Sequence, residues 1–309
     1  MATSFSFDDL EIQPPPPPLL YKYLSPDRVE NVLAGKTVRF TPLMGTNDSF
    51  EVRKTFDQFA GPKFQHMLAE QMDAVTTEES IERLVIQQLR ENGLDASNPK
   101  LVIELLRHQS GGDFLATIRD AMQQMVETTM IPMFNSSDSA MELLEKFASG
   151  MLCFSLSERP DVPPMWAHYA ADHSGFVVAF KTNNSFFITR SDGSKNRLLK
   201  VKYFDGKISE PLDDPYAAFI SKTADWSYER EWRLYSKAAQ SDMIFEREGD
   251  PIHLFKFPST AIERVIVGSK TSRETISQLR SIIANTYFGV GLFRAEADRS
   301  SHSYIEIPI

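Results

Sequence analysis

Two acids stand at i and i+2 inside an aromatic run, Trp226-Ser227-Tyr228-Glu229-Arg230-Glu231-Trp232-Arg233-Leu234-Tyr235. In an extended segment such positions share a face, so Glu229 and Glu231 are expected in one environment, with Trp226 or Tyr228 beside them. Two carboxylates held together among aromatics are costly unless they are paired or used. Arg230 and Arg233 offer the other account: a Glu/Arg ladder on a solvated strand face explains the charges without chemistry.

Four further clusters could join these acids. Tyr21-Lys22-Tyr23 falls on the first expected strand, and Asn47-Asp48-Ser49-Phe50-Glu51 follows the second. Cys153-Phe154-Ser155-Leu156-Ser157-Glu158 comes next, then Met165-Trp166-Ala167-His168-Tyr169-Ala170 running on to His173-Ser174-Gly175. Lys222 lies just ahead of Trp226. His168 and His173 are five residues apart, a spacing that does not stack two ligands on a helix, so zinc held by them with Glu231 lacks a dense donor set, and no metal is expected.

The elements that must position these groups can be read from punctuation and period. Leu19–Leu24 alternates like a strand; Ser25 as cap, Pro26 at the first helical position and Gly35 beyond the end mark a helix over 26–34; Lys36–Pro42 reads as a second strand. Between 60 and 149 the texture is helical, with periods over Phe64–Ala74, Glu78–Glu91, Pro99–His108, Asp113–Met130 and Ser139–Ala148. This block reads as a helical insertion able to recruit a partner. After Gly150 strands dominate: Met151–Leu156, Gly175–Lys181, Leu198–Phe204, Glu231–Ser236, His253–Lys256, Ile262–Gly268, Val290–Ala295 and Ser303–Ile307. Helices at Pro164–Ala171, Pro215–Thr223 and Ser272–Tyr287 interrupt them irregularly, which suits an α+β class better than regular βαβ alternation. The expected organisation is a Pro-rich leader over 1–18, an α+β core over 19–59 and 150–309, and the insertion over 60–149.

Bulk properties narrow the function classes. The 309 residues are 42% hydrophobic and 11% aromatic, enough for a sizeable core. A net charge of −9 argues against a general nucleic-acid or membrane binder. Cys153 is the single cysteine, so neither an internal disulfide nor a cysteine-based zinc site is available, which fits a cytoplasmic setting. The first 20 residues lack a basic start followed by an apolar stretch and do not resemble a secretory signal. No Gly-x-Gly-x-x-Gly or Walker-type loop is present.

Taken in order, Leu20-Tyr21-Lys22-Tyr23, Asn47-Asp48-Ser49-Phe50-Glu51, Cys153-Phe154-Ser155, Met165-Trp166-Ala167-His168-Tyr169, His173-Ser174-Gly175-Phe176, the run Trp226 to Arg233 and Val265-Ile266-Val267-Gly268 resemble an uncharacterised bacterial domain-of-unknown-function family. Its motifs are YKY, NDPFE, MWxHYA and WxYExEWR, and Ser49 replaces the proline of NDPFE. A weaker resemblance is to mono-ADP-ribosyltransferases, which begin strand–helix–strand, carry a serine on a middle strand and present Glu-x-Glu on a loop entering a later strand. The departure is on the first strand, where those enzymes carry Arg or His and this chain has Tyr21, Lys22 and Tyr23.

That second resemblance implies a split, mixed or antiparallel sheet and an enzyme that consumes NAD as substrate, breaking the nicotinamide–ribose bond and modifying a protein or nucleic-acid acceptor, as a toxin or phage-defence effector. Glu231 is then the carboxylate that stabilises oxocarbenium-like charge, and Glu229 orients or deprotonates the acceptor. Ser155 or Ser157 holds the ribose, Trp166 or Tyr169 stacks on nicotinamide, and Lys22 meets a phosphate; Tyr21, Tyr23 and His168 complete the expected binding set. Asn47, Asp48, Glu51, His173, Trp226 and Arg233 are carried as supporting positions. Glu231→Gln is expected to abolish NAD consumption with the melting temperature nearly unchanged. Two other classes stay open: a Mg²⁺- or Mn²⁺-dependent nuclease or hydrolase using Asp48, Glu51, His168, Glu229 and Glu231, and a non-catalytic binding module.

Overall fold

The structure, a computed structural model, describes residues 14–43, 61–63, 65–67, 70, 77–93, 97–109, 114–135, 142, 150–190, 193, 195–206, 219–247, 250–298, 300 and 303–309. Asn47, Asp48 and Glu51 lie outside these, as do the first thirteen residues of the leader. The chain divides into two units, one made of Met1–Lys54, Leu144–Gly206 and Tyr216–Ile309, the other of Thr55–Leu143 and Lys207–Pro215. Among the described residues no helix is long and apolar enough to cross a membrane.

The second unit is helical where it is described. Its helices are α1 (Glu78–Glu91), α2 (Pro99–Gln109) and α3 (Phe114–Met125), the last running through a π turn at Val126–Met130 into a short piece, Ile131–Asn135. Thr77 starts α1 by accepting a bond from the Ser80 amide at 3.3 Å, satisfying one of the donors a helix start leaves open. The expected helices at Phe64–Ala74 and Ser139–Ala148 fall largely outside the described residues.

The first unit is built on a large mixed sheet. In chain order its strands are β1 (Leu19–Leu24), β2 (Thr37–Pro42), β3 (Met151–Ser157), β4 (Phe176–Lys181), β5 (Leu198–Lys200), β6 (Lys202–Phe204), β7 (Ser221–Thr223), β8 (Glu231–Lys237), β9 (Met243–Arg247), β10 (Asp250–Lys256), β11 (Ile262–Val267), β12 (Gly291–Asp298) and β13 (Ser303–Pro308). Eleven of them form the order β13-β12-β11-β4-β1-β3-β2-β10-β9, with β8 joining β3 and β5; β6 and β7 pair separately and in parallel. Helices α4 (Pro163–Tyr169), α5 (Ser185–Ile188) and α6 (Arg273–Thr286) punctuate the strands. The α+β reading therefore holds at the level of a large mixed sheet with several helices.

Several expectations need correction. Residues 26–34 are helical throughout, as expected, but irregular: a 3₁₀ turn at Pro26–Arg28 passes through the helical Val29 into a π turn at Glu30–Ala34, and the Ser25 hydroxyl bonds the Asp27 carboxylate instead of capping a backbone amide. Such short side chains compete with capping by bonding locally. Leu198–Phe204 is two strands, because β5 pairs with β8 while β6 turns to β7. The end of the expected helix Pro215–Thr223 is the strand β7, where propensity yields to pairing. β9 was not expected; it is an edge strand with Ile244 and Phe245 exposed, so no buried stripe announced it.

Alternation along β3 and β8 gives the sheet two different faces. Leu152, Phe154 and Leu156 on β3 and Trp232 and Leu234 on β8 join a core with Leu20, Phe40, Phe176, Val178 and Phe180. Cys153, Ser155 and Ser157 on β3 face the other way, opposite Tyr235, Arg233 and Glu231 of β8 in the antiparallel register. One edge of β3 changes partner along its length. Thr41 and Pro42 of β2 pair with Cys153 and Leu152, while Tyr21 of β1 pairs with Ser157. Between these ladders the edge is split at Phe154–Leu156, and Lys22 Nζ fills the gap by donating to the Ser155 carbonyl at 2.9 Å.

Candidate functional site

A cavity of about 210 Å³ opens on the polar face at this split, with Tyr21, Lys22, Ser155, Tyr169, Glu229 and Glu231 among its lining residues. Tyr23, Cys153, Ser157 and Lys222 also reach it. Residues 200 apart in sequence meet here because β3 is shared by β1 and β8, so one strand carries the serines between the lysine on one side and the acids on the other.

The two acids do not converge as neighbours on a strand face. Glu229 closes a 3₁₀ turn, Ala224–Glu229; Arg230 takes a left-handed conformation at φ 44° and ψ 53°; and Glu231 opens β8. The left-handed residue reverses the chain so that both carboxylates turn onto Lys222. Lys222 Nζ lies 2.6 Å from Glu229 Oε2 and 3.6 Å from Glu231 Oε2, and 4.5 Å from the centre of the Trp226 ring. The turn is pinned from β3: Ser157 Oγ donates to the Glu229 carbonyl at 2.7 Å, and the Glu158 amide to the Arg230 carbonyl at 3.1 Å.

Each acid has its own surroundings. Glu231 receives two hydrogen bonds of 2.9 Å from Arg233, Nε to Oε1 and Nη2 to Oε2, a fork-on-fork pair at i and i+2 of β8. Arg233 is itself buried and donates from Nη1 to the Phe219 carbonyl at 2.7 Å. Glu229 accepts instead from the Tyr169 phenol at 2.5 Å and from Lys222.

The electrostatics follow. Burial alone would raise the Glu231 carboxyl, but the Arg233 charge and hydrogen bonds, with Lys222 and Ser155, outweigh it and hold the pKa down at about 2. Burial raises the Glu229 pKa, opposed by Lys222 and reinforced by the negative Glu231. Burial also pushes the Lys22 ammonium down, against the pull of Cys153, Glu231 and Glu229. Three cationic side chains thus surround two carboxylates, and the acids differ in how firmly they stay ionised.

Not every expected residue joins this site. Trp166 is completely buried, edge-on to Tyr23 with ring centres 5.4 Å apart, and its Nε1 donates to the Pro160 carbonyl, so it supports the site from the core and stacks on no ligand. His168 is exposed on α4 and does not line the cavity. His173 stacks on Trp166 at 6.2 Å and meets the Tyr304 hydroxyl at 3.3 Å through Nδ1. It ends a left-handed run, Ala171, Asp172 and His173, whose chain passes so close that a Cβ on Gly268 would lie 2.1 Å from the His173 carbonyl. The MWxHYA and His-x-Gly motifs therefore serve the fold here, apart from Met165 and Tyr169 on the cavity wall. Trp226 is a partner of Lys222, half-buried outside the lining.

Sequence reasoning underrated Lys222, whose position seven residues before Glu229 and near Trp226 was its only signal. It missed Tyr203 altogether: the phenol oxygen accepts from the Glu231 amide at 2.8 Å, and nothing in the local pattern around Tyr203 marks it.

Residues 165–234 match the family model described as a protein of unknown function, DUF2971. The matched stretch reaches from Met165 on α4 to Leu234 on β8, with Lys222, Glu229, Glu231 and Arg233 inside it. No curated protein and no solved structure matches the chain.

Proposed function

We propose that this cleft binds the nicotinamide-ribose end of NAD and breaks its glycosidic bond, passing ADP-ribose to a macromolecular acceptor or to water. The observation that carries the reading is the pair Glu229 and Glu231: two carboxylates on one lysine, one held ionised near pKa 2 and the other raised. Environments that push two acids apart separate their roles in acid–base chemistry.

In the proposed reaction the C1′–N1 bond of the ribose breaks, and its electron pair neutralises the departing pyridinium. Positive charge develops on the sugar, and the ionised Glu231 stabilises it. Arg233 takes two of the roughly four lone-pair sites of that carboxylate, which fixes its orientation and leaves the rest for Ser155 and a ribose hydroxyl. Glu229 accepts the proton of the incoming nucleophile as the new bond to C1′ forms. Three cations against two acids favour a substrate bearing a pyrophosphate, with Lys22 its nearest contact. The cavity encloses the reacting end, and the remaining nucleotide extends outside it.

Sharing both acids with Lys222 and Arg233 disfavours a divalent-cation site, since the cations already occupy the oxygens an ion needs. Among the described residues no group of three His, Cys, Asp or Glu could hold a metal.

Calorimetric titration of the full chain with NAD and with ADP-ribose tests the reading. Saturable binding weakened by Lys22→Met is expected; no binding of either ligand contradicts it.

A further inference from the structure

Lys22 stands apart from the other two cations of the cavity. Lys222 and Arg233 each hold a carboxylate, whereas Lys22 Nζ makes one hydrogen bond, 2.9 Å to the Ser155 carbonyl, and lies 5.1 Å from the centre of the Phe154 ring. Among the described residues no carboxylate pairs with it. The nitrogen of a lysine has more bonding capacity than that one contact uses, and the rest is left for whatever fills the cavity.

The surroundings of the side chain come from β1. Its stem starts on the core side of that strand: Leu20 precedes it on the same face, and Val178 of β4 lies directly opposite, both in the core with Phe154. The nitrogen emerges through the split edge of β3 with neither bulk water nor a counter-charge, and both lacks favour the free amine over the ammonium. Burial lowers its pKa accordingly, against the pull of Cys153, Glu231 and Glu229.

We propose that Lys22 is a nucleophilic amine that condenses with a small hydroxylated aldehyde in this cavity, giving an imine and water. A desolvated lysine is the residue type that forms such bonds. The nitrogen lone pair forms the N–C bond while the carbonyl π pair moves onto oxygen, and one nitrogen proton passes to that oxygen. Glu229, whose pKa is raised, then gives a proton to the hydroxyl, the C–O bond breaks with its electrons leaving in water, and the nitrogen lone pair closes the C=N bond. The second nitrogen proton restores Glu229. Ser155, Tyr169 and Glu231 on the same wall offer hydrogen-bonding groups to the hydroxyls of a sugar-like aldehyde, which a plain alkyl aldehyde cannot use. An anion such as a pyrophosphate draws a proton onto Lys22, while a carbonyl takes the unprotonated group, so one side chain serves both ligand classes.

The test is reductive trapping of the full chain with glyceraldehyde and cyanoborohydride at neutral pH, followed by peptide mass spectrometry. The hydride reduces the imine to a stable secondary amine at the lysine that formed it. Lys22 should be labelled at least about tenfold faster than the exposed Lys202 and Lys256, because each unit by which a pKa falls gives about tenfold more free amine. That preference should vanish in urea and shrink with propanal, which has the same carbon chain and no hydroxyls. No adduct at Lys22, labelling no faster than at the surface lysines, or the same preference in urea would overturn the inference. Equal preference with propanal would overturn the hydroxylated substrate class. The adduct is located in the unaltered protein, so no variant has to fold. Nicotinamide release enters none of these readouts, so this reaction and NAD cleavage stand or fall separately.

Discussion

Glu231 and Arg233, two positions apart on β8, meet through two parallel hydrogen bonds of 2.9 Å with only 6% and 1% of their side chains exposed. A buried charge in such a pair depends on its partner far more than on the attraction itself, because removing one member strands the other away from water. Glu231→Gln is therefore expected to destabilise the protein by about 3–5 kcal/mol. This replaces the stability-neutral outcome expected from sequence, which treated Glu231 as free to change. Urea unfolding measures it, and Arg233→Met in the same chain should recover much of the loss. A Glu231→Gln protein as stable as the original would mean the pair is not formed.

The same carboxylate gives stability a distinct acid limb. Its folded pKa, about 2, lies below the ordinary value of 4.5, so the stabilisation is complete above that ordinary value and is lost as pH falls toward 2. At about 1.4 kcal/mol per pKa unit the loss is about 3 kcal/mol. Glu229 acts in the opposite sense, because its pKa is raised: keeping it ionised costs stability, and protonation near its folded value relieves that cost. Stability should hold level or rise slightly as pH falls to about 4.5, then drop steeply. Unfolding free energies at stepped pH, compared with Glu231→Gln/Arg233→Met, isolate the limb.

Tyr169 donates to Glu229 and so favours its charged form. Tyr169→Phe removes that hydrogen bond and raises the Glu229 pKa further. If Glu229 is the base of a glycosidic cleavage, the acid limb of the rate profile moves to higher pH while the plateau changes less. An unshifted limb would assign that limb to a different group.

Arg230 holds the left-handed conformation on which the meeting of both acids depends. Arg230→Val places a β-branched side chain at positive φ and should cost about 1–3 kcal/mol, with Glu229 displaced from Lys222. Arg230→Gly, which accepts that conformation freely, should stay within about 1 kcal/mol of the original. Equal losses for the two would place the effect in the arginine side chain and not in the backbone.

How far the sequence spoke depends on the kind of signal. Period-2 alternation exposed β3 and β8, and with them the face carrying Ser155, Ser157, Glu231 and Arg233, because strand geometry needs nothing beyond the chain itself. The juxtaposition of Glu229 with Glu231 was legible while its cause was not: a non-glycine left-handed residue leaves no compositional mark. Trp166 is read toward a ligand because large aromatics serve cores and sites alike, and only its burial separates the two uses. Tyr203 and Lys222 reach the acids through the separate pairing of β6 with β7, a long-range contact that spacing does not encode.

The most direct measurement is proton NMR of NAD incubated with the full chain, following free nicotinamide against time. Nicotinamide release is expected, falling by about 10²- to 10⁴-fold in Glu229→Gln and markedly in Ser155→Ala, with the melting temperature of Ser155→Ala lowered less than that of Glu231→Gln, because Arg233 still pairs Glu231. Lasting absence of nicotinamide from protein that binds NAD, or release at full rate from Glu229→Gln, would contradict it.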